Sequence, residues 1–171
     1  TNHNKLLWRL EGADGVKTGY TRSAGHCLVA SATRENHQLL AVVFKSQNMY
    51  NDCANLLEWG FANYDLMRIA AAGEIIGAVN ITDGVNNTVN VLPAQTLNLV
   101  LEKNLATKIA LEVDLPSGIL APVERLQKIG KLRVVCDGEV LAETDLIAEE
   151  AVARRTLLQV FIAWLKRLFG R

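Results

Sequence analysis

A chain of 171 residues, half of them apolar and 21% charged, can bury a sizeable core, which excludes a disordered polymer. Eighteen Lys and Arg balance eighteen Asp and Glu, so no net charge draws the whole molecule toward nucleic acid. No stretch reaches the roughly 18 unbroken apolar residues of a spanning helix, and Cys27, Cys53 and Cys136, far apart and with no CxxC, HExxH or His cluster, promise neither a disulfide framework nor a metal site.

The first residue is Thr, and "TNHNKLLWRLEG" has no charged-then-apolar leader, so either a leader has been removed or the chain is a piece of something longer. Next comes "GADGVKTGYT", Gly12 to Thr21, where three glycines surround Lys17. A phosphate-binding loop needs its Lys directly after Gly, and Val16 stands there instead. The expectation is a turn at Asp14-Gly15 running into a strand that presents a cation, a hydroxyl and a bare Gly backbone.

"CLVASAT" (Cys27 to Thr33) and "QLLAVVF" (Gln38 to Phe44) are near-continuous apolar runs of strand length split by "RENH". Continuous apolarity predicts central strands covered on both faces, joined as a short antiparallel hairpin. "NDCANLLEWGFANYDLM", Asn51 to Met67, places Cys53, Leu56, Leu57, Gly60, Phe61 and Tyr64 at helical spacing, which predicts an amphipathic helix on that sheet. Three strands and one helix cannot cover two sheet faces. Residues 1–67 therefore read as the end of a larger domain, with Leu28, Val29, Leu39, Val42 and Val43 expected to be exposed on whichever face lacks its helices.

After "IAAAGE" the pattern changes. Across residues 74–150 short β-rich segments alternate with turn signals: "IIGAVNIT", Asp83-Gly84, "NTVNVLP", "TLNLVLE", "KIALEVDLP", Ser117-Gly118, "GKLRVVC", Asp137-Gly138 and "EVLAETDL". Such spacing predicts a small all-β sandwich or barrel. Leu132, Val134 and Cys136 alternate with Lys131, Arg133 and Val135, so that strand should have one wet face. No acid pair or nucleophile cluster sits on these strands, which fits a spacer or packing module. From Ala151 onward there are five basic residues (Arg154, Arg155, Lys166, Arg167, Arg171) and no acid. At 100° per residue Leu157, Leu158, Phe161, Ile162, Trp164, Leu165, Leu168 and Phe169 share one arc, opposite Arg155, Gln159, Lys166 and Arg167. Residues 152–171 are expected to form an amphipathic helix lying in a membrane interface, with Leu157, Phe161, Trp164, Leu165 and Leu168 as its anchors.

Taken together, "DGVKTGYTRSAGHCLVASATRENHQLLAVVF", "LLEWGFANY", a β-rich region and a cationic amphipathic tail resemble the C-terminal part of the low-molecular-mass penicillin-binding proteins. These are serine D-alanyl-D-alanine carboxypeptidases that trim peptidoglycan stem peptides. The resemblance covers essentially the whole chain. It implies an α+β fold: the last strands and helix of a transpeptidase-like domain (1–67), an all-β sandwich-like domain (74–150) and a membrane-anchor helix (152–171).

The family works with SxxK, SxN and KTG, of which only KTG is here. Ser23, Ser31, Ser46 and Ser117 are followed three residues on by His26, Arg34, Met49 and Leu120, so none begins SxxK. "SQN" at Ser46 to Asn48 matches SxN by letters but follows KTG, and reads as coincidence. What the resemblance implies for the site is therefore substrate binding without catalysis. Lys17 would supply positive charge near the nucleophile and the substrate carboxylate, Thr18 a hydroxyl for that carboxylate, and Gly19 room for the ligand backbone. In a regular strand Lys17 and Thr18 point to opposite faces, so joint use needs a twisted edge strand. The implied partners are a stem peptide or penicillin and a membrane surface, with no cofactor, no metal and no nucleic acid. The implied location is the periplasmic face of the bacterial inner membrane, peripherally attached. An alternative is a non-catalytic β-domain for binding or membrane association.

Overall fold

The structure, a computed structural model, describes residues 3–159. The chain divides into two compact units, Thr1–Met67 with Val100–Ala106 and Arg68–Leu99 with Thr107–Arg171. The "TLNLVLE" segment, assigned from sequence to the β-rich region, thus contributes its end to the first unit.

The first unit is a meander of three antiparallel strands in chain order, β1 (Ala13–Thr21), β2 (Gly25–Arg34) and β3 (His37–Val43). The β2–β3 connection is a two-residue turn, Glu35 and Asn36, both at positive φ, with Arg34 opposite His37. That geometry matches the right-handed strand twist. A short 3-10 turn, Lys5–Trp8, leads into β1; its buried cap Asn4 accepts from Leu6 N at 3.1 Å and donates to Gly15 O at 2.8 Å.

Helix α1 (Met49–Asn63) covers one face of this sheet. Cys53, Leu57 and Gly60, spaced four and three apart, are its buried stripe. The Cys53 and Leu57 side chains meet Leu6, Leu28, Ala30, Ala32 and Ala41 in one core. At Gly60 the helix lies so close to β3 that a methyl there would sit 2.6 Å from Leu39 Cδ1. The helix ends before the expected Met67: Tyr64 is already extended and opens β4 (Tyr64–Ala70), which pairs with β7 (Leu97–Glu102).

The other sheet face differs from expectation in its residues. Cross-strand register places Val29, Leu40 and Val42 on the side away from α1, and Leu40 is 63% exposed, Val42 43% and Phe44 76%. Leu28 is buried against the helix, and Leu39 and Val43 are half-buried against the same core. Alternation within an apolar run, invisible in the sequence, decides which half faces the helix. Both strands expected to be covered twice are covered once among the described residues.

The second unit is built on one six-stranded ladder in the order β8 (Ile109–Asp114), β10 (Lys128–Cys136), β11 (Glu139–Ala148), β6 (Thr88–Pro93), β5 (Gly77–Thr82), β9 (Gly118–Leu120). All neighbours are antiparallel except β5 and β9. Asp137 and Gly138, both at positive φ, make the tight β10–β11 turn. Leu132, Val134 and Cys136 are buried while Lys131, Arg133 and Val135 are half-exposed, as alternation predicts. Lys131 pairs with Glu143 at 2.5 Å on the outer face and lowers that carboxyl's pKa. Two clusters fill the interior, one around Val79, Val91, Leu132 and Leu146, the other around Ile81, Val89, Val123 and Val152.

Val152 corrects the start of the expected anchor helix. It is fully buried and bridges Val123; Arg154 bridges Gly84, and Arg155 N donates to Asp83 O at 2.8 Å. These residues are extended chain stitched to the β unit. Of the segment expected to be helical, the described residues 157–159 are so, after Thr156, whose hydroxyl accepts from Gln159 N at 3.4 Å while Gln159 Oε1 accepts from Thr156 N at 2.9 Å. That reciprocal pair is a capping box, written T-x-x-Q in the sequence. Leu157 and Leu158 are 90% and 67% exposed. Phe161, Trp164, Leu165 and Leu168 lie outside the described residues.

Candidate functional site

β1 is an edge strand, and the KTG triplet occupies its middle, with Lys17 opposite Val29, Thr18 opposite Leu28 and Gly19 opposite Cys27. Lys17 and Gly19 are exposed and Thr18 is half-buried. Consecutive side chains leave opposite faces of a strand, yet Lys17 Nζ donates to Thr18 O at 2.6 Å. The ammonium therefore folds back to the strand's own backbone beside Thr18. The conflict between alternation and joint use is reduced by the length of the lysine stem.

Gly19 has an ordinary backbone conformation, and a methyl there would find only Cys27 Cβ, at 3.9 Å. The packing of this unit does not require glycine. Its absent side chain leaves the edge open to an approaching backbone, the kind of surface to which an extended peptide adds as a strand.

Two devices hold β1 in place. Asn4 fastens the strand at Gly15 O. At the neighbouring register shift between Ala13 and Gly15, the Asp14 carboxylate accepts from the Ser31 hydroxyl, from Thr33 Oγ1 at 2.5 Å and from Gln38 Nε2 at 3.1 Å. The Ser31 and Thr33 bonds hold the Asp14 carboxyl below its usual range. The expected turn at Asp14-Gly15 is thus a bulge inside the strand, tied across all three strands.

At the far end of the sheet Arg34 makes a two-pronged pair with Glu58 of α1, at 2.6 and 3.0 Å, and stacks over Phe61 at 4.5 Å. Glu58 is correspondingly pushed down in pKa by that bond. A cavity of about 810 Å³ opens there, lined by Arg34, His37, Phe61, Tyr64 and Lys103 among others, and by none of the KTG residues. Lys103 is already engaged, with Phe61 O at 2.9 Å and Asp65 at 3.5 Å.

"SQN" lies in the β3–α1 connection. Ser46 Oγ accepts from Asn48 N at 2.9 Å and donates to Asp52, bracing the helix entry. Among the described residues no three His, Cys, Asp or Glu side chains converge as a metal site. No helix among them is long and apolar enough to cross a membrane. Sequence reasoning missed the Tyr20–His26 pair, directly opposite each other with ring centroids 4.6 Å apart. The hairpin register that joins them was the available signal.

Residues 64–154 match the profile described as "Penicillin-binding protein 5, C-terminal domain", and residues 1–48 match "D-alanyl-D-alanine carboxypeptidase". The chain is 30% identical over 175 residues to the D-alanyl-D-alanine carboxypeptidase DacF of Bacillus subtilis, covering 99% of this chain and 43% of that protein. The DacA enzyme of Haemophilus influenzae is likewise 30% identical, over 96% of this chain and 43% of its own length. Among solved structures, penicillin-binding protein 5 from Haemophilus influenzae superposes with a TM-score of 0.73 at 30% identity, over 88% of this chain and 46% of that one. The chain thus spans less than half the length of these relatives.

Proposed function

The chain belongs to the low-molecular-mass penicillin-binding proteins, and from that membership we propose that it supplies the substrate-clamping strand of a serine-type D-alanyl-D-alanine carboxypeptidase. Residues 1–67 then act as the last strands and helix of the transpeptidase domain, and 74–150 as its β-rich companion. The observation that carries the reading is KTG on an open edge strand, with Lys17 Nζ drawn to the Thr18 backbone and a glycine that packing does not demand.

A terminal carboxylate held there meets the Lys17 ammonium and the Thr18 hydroxyl, a charge-assisted arrangement. The peptide backbone passes over Gly19 and is held still while a serine outside these residues attacks the carbonyl. The 171 residues hold no SxxK, so on their own they hydrolyse no D-Ala-D-Ala peptide and form no penicilloyl adduct.

The decisive experiment joins the chain to an N-terminal portion bearing the family's SxxK and SxN motifs and follows acylation by labelled penicillin. Lys17→Ala should slow it by about a hundred- to a thousandfold, by analogy with the loss of one preorganised donor. Lys17→Arg should not rescue, because a planar fork does not replace a compact ammonium. Acylation at the parent rate by folded Lys17→Ala would sink the clamp.

The same reading places the protein at the periplasmic face of an inner membrane, attached through the helix that starts at Leu157. What supports attachment is the exposed Leu157–Leu158 pair, followed in sequence by Phe161, Trp164, Leu165 and Leu168. Arg154 lies 3.8 Å from Asp83 and Arg155 bonds Asn87 at 2.7 Å, which leaves Lys166, Arg167 and Arg171 for the lipid surface. Three cations contribute at most about 3 kcal/mol. Apolar burial, at about 1.5 to 3 kcal/mol per fully inserted side chain, then dominates.

A further inference from the structure

At the end of the first unit away from KTG, a polar ring nitrogen is buried without a partner. His37 stands across the two-residue β2–β3 turn from Arg34, a place where side chains ordinarily meet water, yet it is only 7% exposed. Phe61 of α1 meets its ring edge-on, with centroids 5.7 Å apart. Among the described residues His37 Nε2 has no hydrogen-bond partner. An unmet buried nitrogen is costly, and packing alone would be served better by an apolar side chain.

His37 also lines the cavity of about 810 Å³ beside Arg34, a volume within the range of about 300 to 1,000 Å³ usual for small-molecule sites. All of its lining residues belong to the first unit, and none is in KTG. Its charge balance is negative, with Glu11, Glu35 and Asp65 set against Arg34 and Lys103. Both cations are already met. Arg34 gives its terminal nitrogens to Glu58 and its Nε to Glu11 O at 3.2 Å, while Lys103 lies 3.5 Å from Asp65 and donates to Phe61 O. The exposed Glu11 and Glu35 carboxylates enter no ion pair among the described residues, and Glu11 reaches Arg34 only through its field.

These groups select a ligand by its charge. An anion would find two engaged cations and two spare carboxylates. A neutral molecule would leave those carboxylates without a counter-charge. A cation on an apolar stem uses every part: Phe61 and Met67 offer apolar wall to the stem, and Nε2, in the tautomer protonated at Nδ1, accepts an N–H. We propose that this cavity is a second binding site, independent of the clamp, for a primary ammonium on a short apolar stem. His37 Nε2 accepts one of its three N–H groups, and Glu11 and Glu35 balance its charge.

The test is an NMR titration of the isotopically labelled 171-residue chain, following the His37 ring nitrogens and the amides of Glu11, Gly12 and Glu35. The probes are phenethylamine, its neutral counterpart phenethyl alcohol, the anion phenylacetate, and Nα-acetyl-lysine methylamide. Phenethylamine should saturate the site, move the Nε2 resonance, and bind about fivefold more tightly than the alcohol, the scale of exposed charge pairs. Glu11→Gln plus Glu35→Gln, both at exposed positions, should erase that advantage. His37→Phe keeps a ring in place and should weaken the amine at least about tenfold, the scale of a hydrogen bond to a charged group. Tighter binding of the lysine derivative would assign the site to a peptide side chain, and tighter binding of phenethylamine to a free amine; either supports the proposal. Equal affinity for amine and alcohol, preference for phenylacetate, or amine binding that leaves Nε2 unmoved overturns it. So does the absence of binding by both amines.

Discussion

The two units of this chain use the same apolar residue types to different ends. In the second, the interior is filled from several strands, and even the exit segment contributes through the buried Val152. In the first, a single helix covers one face of three strands, while Leu40, Val42 and Phe44 remain exposed on the other. The packed β unit is joined by its ladders and by outer-face pairs such as Lys131–Glu143, although the buried Thr144 hydroxyl has no hydrogen-bond partner among the described residues. Among the described residues the half-covered sheet keeps an open edge, an open Gly19, and Lys17, Arg22 and Lys45 outside any ion pair. Groups able to meet a ligand are therefore found where burial is least complete, and the densely packed β unit fits a supporting part.

The largest contrast should appear on truncating one core leucine in each unit. Leu57→Ala and Leu146→Ala each remove a fully buried side chain, a loss of about 2 to 5 kcal/mol. The β unit should survive its loss with slowed exchange still measurable in β10 and β11. The first unit depends on one packed face and should lose amide protection throughout β1–β3. Retention of that protection in Leu57→Ala would show that its stability does not come from the α1 contact.

A second effect concerns the surface. Replacing Leu40, Val42 and Phe44 together by Thr should reduce binding of a hydrophobic dye several-fold and slow aggregation, because a contiguous apolar patch is removed while the α1 face is untouched. Unchanged dye binding would place the exposed apolar area elsewhere. At the chain's other end, vesicle flotation should persist in high salt and vanish on deleting residues 157–171. Deletion from residue 152 is a poorer test, since it also removes buried Val152. Release by salt alone would refute apolar insertion.

Much of this architecture was legible in the sequence. The β2–β3 hairpin follows from two apolar runs around four polar residues, and the wet and dry faces of β10 from strict alternation at Lys131 to Cys136. The misreadings share one cause: competing signals of similar strength. "NYDLM" continues the helical spacing of α1, but Tyr64 is drawn into the pairing of β4 with β7, a long-range contact no local pattern encodes. Asp14-Gly15 has turn chemistry, yet three donors on β2 and β3 capture the carboxylate and turn it into a bulge. For the candidate site, KTG was legible as letters. That it lies on an edge, and that Tyr20 faces His26, depended on register.

Gly19→Ala probes the same contrast in the opposite sense, by changing function without stability. Alanine fits the space and the backbone conformation, so unfolding free energy should move by less than about 0.5 kcal/mol. Acylation by the completed enzyme should fall, because the methyl lies on the path of the ligand backbone. A thermal shift of many degrees would mean that glycine serves the fold after all.

The smallest expected effect is at Asp14, where the two roles of the first unit meet. Its carboxylate joins β1 to β2 and β3 through Ser31, Thr33 and Gln38, and the first two bonds are the main cause of its lowered pKa. A carboxyl depressed in the folded state stabilises the fold above its unfolded pKa, and that contribution is lost as pH falls through the folded value. Asp14→Asn should therefore destabilise the first unit near neutral pH by no more than about 1 kcal/mol, since the group is solvent-screened. The gap between parent and variant should close below pH values where Asp14 is protonated in both states. Amide exchange in β1, measured at neutral and at acid pH, reads this directly. A gap that stays constant down to the acid limit would mean that the three hydroxyl and amide donors serve the asparagine as well as the carboxylate, and that the bulge before KTG is set by shape and not by charge.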